Sequence, residues 1–548
     1  MRLRSLGHRA PLLWIALPFA LGIASARACP TGLSVGVGLV VALAASIVAA
    51  ARDWRTPIWA GLITVALGAA GAVAYELRRD QLIAYTGLPA REATLTLQLG
   101  REFGASRAQT DRFGGLGRIV GAPPHLRDLV GQRLQVSVHA YPPFSTAPAR
   151  GATIVATGVL EPLPRRAGDA DTFDAYLVDL GLNFRFARAS LETVVDPPGL
   201  IDRCLAATLA WCRTCLGTGL DHRPDLQAAL RAMLLGERHE LSDTQETLFL
   251  RSGTMHLFAI SGLHIGALAL ALHTLGLLAR QPRPLILAGS TTVLAIYVGV
   301  VGAPPSAVRA FLMVTCVQAA FVWRRPGNAL AGLVASAVLV LMLDPMQLFG
   351  AGFQMSYGIV AALLLLGLPL GDTWQQRWPA WPHLPPATWH AGHRVSAAVW
   401  HGGLRALGLA VAATLVSSIS ASAFFGWFTP GALLLNLAFI PLATLVVFAG
   451  LAALGCGALG ATPLLVLFVR AAALIIASMQ AVLVRYAGVP GMAWAVQPRW
   501  PSWSGWALVG LMGLLLHGYA TKWEAKRGGF WPPVIWTVAM LVTGLKFV

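Results

Sequence analysis

"GTMHLFAISGLHIG", residues 253–266, opens the most apolar part of the chain, yet it carries two histidines, a serine and glycines at 253, 262 and 266. A plain lipid-facing helix gains nothing from such residues. His256 and His264 are eight positions apart and fall on roughly one helical face over two turns. Ser261 and Gly262 between them predict a bend or an unwound turn. Unwound backbone at membrane depth is tolerated only where it is buried in protein or lines a wet cavity. The stretch therefore predicts either tight helix packing or a polar break facing water inside a membrane domain.

Reading toward the C-terminus, apolar runs recur near 254–279, 284–301, 306–323, 328–343, 352–370, 404–426, 430–455, 462–488, 504–520 and 530–547. Runs of about 18 residues or more predict membrane helices. The basic connections "ARQPRP", "WRRPGN" and "TKWEAKRGG" fall on alternate loops, as one topology requires. The Trp- and Pro-rich connection 371–400 is expected at the membrane interface on the same side.

Reading toward the N-terminus, residues 201–252 mix charges with leucines at helical spacing and predict amphipathic helices on the membrane surface. Asp221 before Pro224, and Ser242 three before Gln245, are helix-start signals. Before them, "ATLTLQL" (93–99), "RLQVSVHAY" (133–141), "TIVATGVL" (153–160) and "NFRFARASL" (183–191) alternate with period two between Gly- and Pro-rich turns. That pattern predicts a small β-domain, a barrel, over 84–200. Three more apolar runs lie at 11–28, 33–50 and 57–75. Basic flanks at 1–9 and 51–55 place the N-terminus in the cytoplasm and the β-domain outside. The first run resembles a secretory signal but is followed at once by others, so it reads as a membrane helix.

The fold class is a polytopic α-helical membrane protein with an inserted small extracytoplasmic β-barrel. Its parts are N-terminal membrane helices (1–83), the β-domain (84–200), the surface helices (201–252) and a membrane channel domain (253–548). Composition agrees: 56% of residues are hydrophobic and 12% charged, against about 25% charged in soluble proteins. The formal charge is +17, but residues 91–196 hold 12 Arg against 11 Asp and Glu, so the excess lies with the membrane parts. Cys212 and Cys215 form a lone C-x-x-C. With no second pair to complete a zinc site, they read as small apolar residues near a membrane.

Beyond residue 253 the acids are Asp344, Asp372 and Glu524, all at expected helix ends. Proton- and cation-coupled transporters usually need carboxylates within the membrane, so that class is disfavoured. There is no G-x-x-x-x-G-K-[ST] and the lysines are 522, 526 and 546, which excludes a P-loop ATPase. Cations tell the opposite story. Arg309 follows "GAPPSAV", Arg470 interrupts "LLVLFVRAAALIIASM", and Arg405 lies beside another apolar run. An intramembrane arginine is costly, so it is paired, snorkels to the interface, or faces a wet, anion-suited path. Gln354 and Ser356 in "GFQMSYG", and Asn436 near Pro441, add polar sites to the channel candidates His256, Ser261, Gly262, His264, Arg309 and Arg470. An intramembrane hydrolase using Ser261 and His264 is the rival. "AISGL", however, is not G-x-S-x-G, and no acid is in evidence to orient the histidine. Transport of another anionic substrate is a third reading.

"SGTMHLFAISGLHIG", then "GAPPSAVRAFLM" (302–313) and "DPMQLFGAGFQMSYG" (344–358), resemble the competence domain of the ComEC family of DNA-uptake channels, and "DTFDAYLVDLGL" (171–182) is similar to the end of that family's external OB-type domain. The resemblance runs over essentially the whole chain. It implies an inner-membrane channel admitting single-stranded DNA in natural transformation, with no cofactor. It also implies a cytoplasmic DNA-translocating ATPase and a periplasmic DNA-binding competence protein as partners. Many members of the family continue into a metallo-β-lactamase-like nuclease with an H-x-H-x-D-H motif. The thirteen histidines here contain no such pattern, so the chain is expected not to be an enzyme.

Overall fold

The structure is a computed structural model. It describes residues 12–28, 57–80, 89–102, 112–139, 150–163, 181–258, 262–322, 328–487, 491–500 and 502–547, with a few single residues between these stretches. Among the described residues, α1 (Leu13–Ala28) and α2 (Pro57–Asp80) precede the β-domain. The apolar run at 33–50 lies largely outside the described residues.

The β-domain is a closed barrel of β1 (Arg91–Glu102), β2 (Arg112–Gly121), β3 (Arg133–His139), β4 (Thr153–Pro162) and β5 (Phe184–Asp196), in the order β1-β2-β3-β5-β4. Strands β3 and β5 run parallel and the other pairs antiparallel, the Greek-key closure of an OB-type fold. Period-two alternation drives it. Leu95, Leu97 and Leu99 point inward with Ile154 and Ala156, while Thr94 meets Thr157 on the outer face at 2.6 Å. Phe184 and Phe186 fill the barrel core rather than the surface. Strand β2 escapes a propensity reading because it holds Gly114, Gly115 and Gly117. At Gly117 a Cβ would stand 2.8 Å from Val136 Cγ2, so the barrel wall there admits only glycine.

Helices α3 (Leu200–Gly217), α4 (Pro224–Leu235) and α5 (Asp243–Arg251) follow. Pro224 starts α4, and Ser242 with Gln245 forms a reciprocal capping box on α5. The surface position expected for this segment does not hold for α4. Leu226, Leu230, Met233, Leu234 and Leu235 are all buried in a large apolar cluster, while the charges on α4 are paired, Asp225 with Arg223 and Arg231 with Glu240.

Each of the ten later apolar runs coincides with a helix: α6 (Gly262–Leu278), α7 (Arg283–Val300), α8 (Pro305–Val322), α9 (Ala329–Leu343), α10 (Ala351–Arg377), α11 (Ala391–Phe424), α12 (Ala432–Ala458), α13 (Thr462–Ala487), α14 (Trp503–Ala520) and α15 (Trp531–Gly544), with α10 and α11 extending into the expected connection 371–400. Among the described residues, seven helices, including α2, are long and apolar enough to cross a membrane. The chain is thus a polytopic helical membrane protein with an inserted barrel. Helix α10 contains a π turn at Leu363–Gly367, and Trp523 Nε1 donates to Leu365 O within it at 3.0 Å. Beside the turn, a Cβ at Gly408 of α11 would come within 2.8 Å of Gly367 O, the close backbone approach that small residues permit between membrane helices. Short strands β6 (Trp427–Phe428), β7 (Trp494–Pro498) and β8 (Leu545–Phe547) form one sheet. It gathers the ends of α11, α13 and α15 on a single side.

Candidate functional site: a buried arginine beneath the barrel

The barrel docks on the helices through Arg150, just ahead of β4. Arg150 Nη1 donates to Gly299 O at 3.2 Å, at the end of α7, and its Nε lies 3.8 Å from Asp202 of α3. That marks the barrel side of α7. The chain turns back at 301–304, and Arg309 follows in the second turn of α8. Arg78, closing α2 ahead of the barrel, lies 3.8 Å from Asp344, which ends α9. Helix α10 therefore also begins on the barrel side.

Arg309 is 5% exposed. Its Nη2 donates to Ser356 Oγ on α10 at 3.2 Å. A Cβ at Gly352, one turn before Ser356, would stand 2.9 Å from the same Nη2, so glycine makes room for the guanidinium. Gln354 Nε2 donates to Leu348 O at 3.2 Å, and its Oε1 is buried with no partner among the described residues. Arg309 and Ser356 thus come together where α8 and α10 start, whereas Gln354, two residues from Ser356, falls on the other side of α10. Beyond residue 253, Asp344 faces Arg78, and Asp372 pairs with Arg405 at 2.8 Å. Arg405 is therefore an exposed ion-pair partner rather than a lone cation in an apolar path.

The described residues of the opening stretch fall in two helical pieces. A 3₁₀ turn covers Met255–Phe258, and α6 begins at Gly262. The two histidines do not share a face. His256 is exposed and donates from Nδ1 to Gly253 O at 3.1 Å. His264 is buried and hydrogen-bonds the backbone of Met233 on α4. Ser261 lies outside the described residues. A Cβ at Gly262 would meet nothing within 4 Å. Asn436 sits on α12 with Oδ1 buried and no partner among the described residues. Arg470 is exposed on α13, its Nε 3.6 Å from where a Cβ on Gly219 would stand. It lies beside the connection between α3 and α4.

Sequence reasoning missed the charges that flank α4. Arg213 Nε donates to Glu237 Oε1 at 2.7 Å, Arg231 lies 3.4 Å from Glu240, and Glu237 is buried. Tyr297 Oη donates to Leu234 O at 2.7 Å, tying α7 to α4 beside them. Burial pushes the His239 imidazole below its ordinary range, against the pull of Glu237 and Glu240. "GERHE" (236–240) within apolar surroundings was the available signal.

Comparison with known proteins places these elements. Over 218 residues the chain is 28% identical to ComE operon protein 3 of Bacillus subtilis (strain 168), a stretch covering 38% of this chain and 27% of that protein. Over 144 residues it is 32% identical to Competence protein ComA of Neisseria gonorrhoeae, covering 25% of this chain and 20% of that one. The matched stretches thus span about a quarter of these relatives. No solved structure matches the chain. The family described as "Competence protein" matches residues 233–524, more than half of the 548. That match takes in the broken stretch, Arg309, Ser356 and the charged turn after α4, and the chain belongs to the competence protein family, in keeping with the resemblance its motifs carry.

Proposed function

We propose that the chain is a conduit in the cytoplasmic (inner) membrane that passes single-stranded DNA inward during natural transformation. The names of the relatives and the family support the process. The observation that carries the conduit is Arg309. A guanidinium is buried where the helices meet the barrel side, and Gly352 and Ser356 shape its seat. A phosphate chain crossing a low-dielectric slab needs compensating charge, and arginine offers a fixed fork without losing its own proton. In this reading the N-terminus is cytoplasmic, the barrel is extracytoplasmic, and DNA arrives beside Arg150. The open backbone at Gly262 and the polar groups of Gln354 and Asn436 offer further wet positions.

The chain itself does no chemistry in this account. A cytoplasmic DNA-translocating ATPase supplies the force, and a periplasmic DNA-binding competence protein delivers the strand. The test is a transformation assay in a strain deleted for the gene, with and without this chain. Restoration of uptake of labelled DNA into a nuclease-protected compartment is the expected result. Normal uptake in the deleted strain removes the reading.

A further inference from the structure

The end of the molecule opposite the barrel carries a second feature. Helix α11 has 34 residues and α10 has 27, about 51 and 40 Å at 1.5 Å per residue, against a hydrocarbon core of about 30 Å. The surplus lies on one side. The half-exposed ion pair Arg405–Asp372 marks where both helices leave the apolar slab. From Ala406 to Phe424 is 19 residues, about 28 Å and enough to cross. Residues 373–404 are then a hairpin standing up to about 20 Å beyond the hydrocarbon, rather than a connection lying in the interface.

Its composition is selective. It holds Trp374, Trp378, Trp381, Trp389 and Trp400, four histidines, Arg377 and Arg394, and no Asp or Glu. Three of the five indole N–H groups are spent within the hairpin. Trp381 Nε1 donates to His393 O at 3.3 Å, Trp389 to Leu384 O at 3.1 Å and Trp400 to Trp378 O at 2.9 Å. An interfacial tryptophan keeps that polar handle for the wet headgroup region; these rings are instead fixed by their edges. Trp378 and Trp400 are about half exposed. Trp374 lies 6.2 Å from Trp378, and Trp381 meets His393 edge-on at 4.8 Å. Beside them a shallow cavity of about 470 Å³ is lined by Trp381, His383, Leu384, Pro385, Trp389 and His401.

Fixed aromatic faces with flanking arginines and no carboxylates suit a polyanion whose units carry π-faces. We propose that this hairpin is a stacking platform for single-stranded nucleic acid on the side opposite the barrel. The inference rests on the conduit reading and adds where the strand leaves. A platform there would hold emerging bases and oppose backward slippage.

The test uses the full chain in inside-out membrane vesicles and a fluorescent thirty-nucleotide oligo-dT as probe. Binding above that of vesicles lacking the chain is expected, and lost on the double substitution Trp378→Ala, Trp400→Ala, by about fivefold or more per ring. Phenylalanine at both sites should retain most binding. Leucine at both sites separates stacking from a merely apolar contact and guards against misfolding. Oligonucleotide affinity unchanged in the leucine variant overturns the platform. So does quenching by brominated lipid of a fluorophore placed on Trp378→Cys, which would put the hairpin in the bilayer. The two readings fail separately. Vesicles that do not bind, from a chain that still restores transformation, sink only the platform. Vesicles that bind, from a chain without effect on uptake, sink the conduit.

Discussion

Arg150 and Gly299, separated by 149 positions in sequence, are joined by a 3.2 Å hydrogen bond that fixes the barrel to the end of α7. Only residues 301–304 separate α7 from α8, so the docking point and the buried Arg309 lie at the same end of these helices. This contact docks the β-domain on the helices, and in the conduit reading it makes that domain part of the path.

Arg150→Ala should loosen that joint. Both Arg150 and Asp202 are about one-third exposed, so the loss of stability should stay below about 1 kcal/mol. Amide exchange should nevertheless rise at 199–205 and 298–303, and DNA uptake should fall severalfold at unchanged protein level. Unchanged protection at both segments would show that the barrel is held by other contacts.

The proposed orientation rests on the basic flanks. In a background without native cysteines, Val130→Cys on the barrel should react with an impermeant thiol reagent in intact spheroplasts. His383→Cys, on the far hairpin, should react only after lysis. The reverse pattern inverts the topology and with it the direction of transport.

Gly262 distinguishes packing from access. A side chain there meets nothing within 4 Å, so Gly262→Leu should fold and accumulate normally while uptake drops sharply. Gly450 is the control. A Cβ there runs into Leu234 of α4, and Gly450→Leu should cost about 1–3 kcal/mol by overpacking and reduce protein level. If Gly262→Leu transforms like the wild type, the broken stretch serves packing alone.

The charged turn after α4 predicts a stability effect. Arg213→Ala leaves the Glu237 carboxylate, 6% exposed, without its guanidinium. About 1–3 kcal/mol should be lost in thermal denaturation of the purified protein. The double variant Arg213→Ala, Glu237→Leu should recover part of it. Additive losses in the double variant would mean that the two groups do not interact.

Much of this was legible in the sequence because hydrophobic period is a direct record of environment. Each of the ten apolar runs coincides with a helix, although α10 and α11 extend into the expected connection 371–400, and four alternating segments fall on β1, β3, β4 and β5. What was lost had local physical causes. Strand β2 hides behind Gly114, Gly115 and Gly117, which read as a turn, although Gly117 is required by the approach of Val136. Strands β6 and β8 have two and three residues, too few for a period. At the site, the pressure on Arg309 to find polar company was readable, and Ser356 in "GFQMSYG" was among the candidates. Facing was not readable for Arg470, because a charge within one apolar helix points to a partner, a cavity or the interface only once its neighbours are placed. The shared face of His256 and His264 failed for a related reason: the break between them rotates one outward and leaves the other against Met233.

The central claim is that buried charge at Arg309 carries the strand rather than catalysing anything. Uptake of labelled DNA, surface-bound DNA and protein level should be measured together for Arg309→Gln, Arg309→Lys and Arg470→Gln. The account predicts at least a tenfold loss of uptake for Arg309→Gln with surface binding intact. Partial rescue is expected for Arg309→Lys, where charge returns without the fork, and little change for the exposed Arg470→Gln. Wild-type uptake by Arg309→Gln at normal protein level would contradict the account.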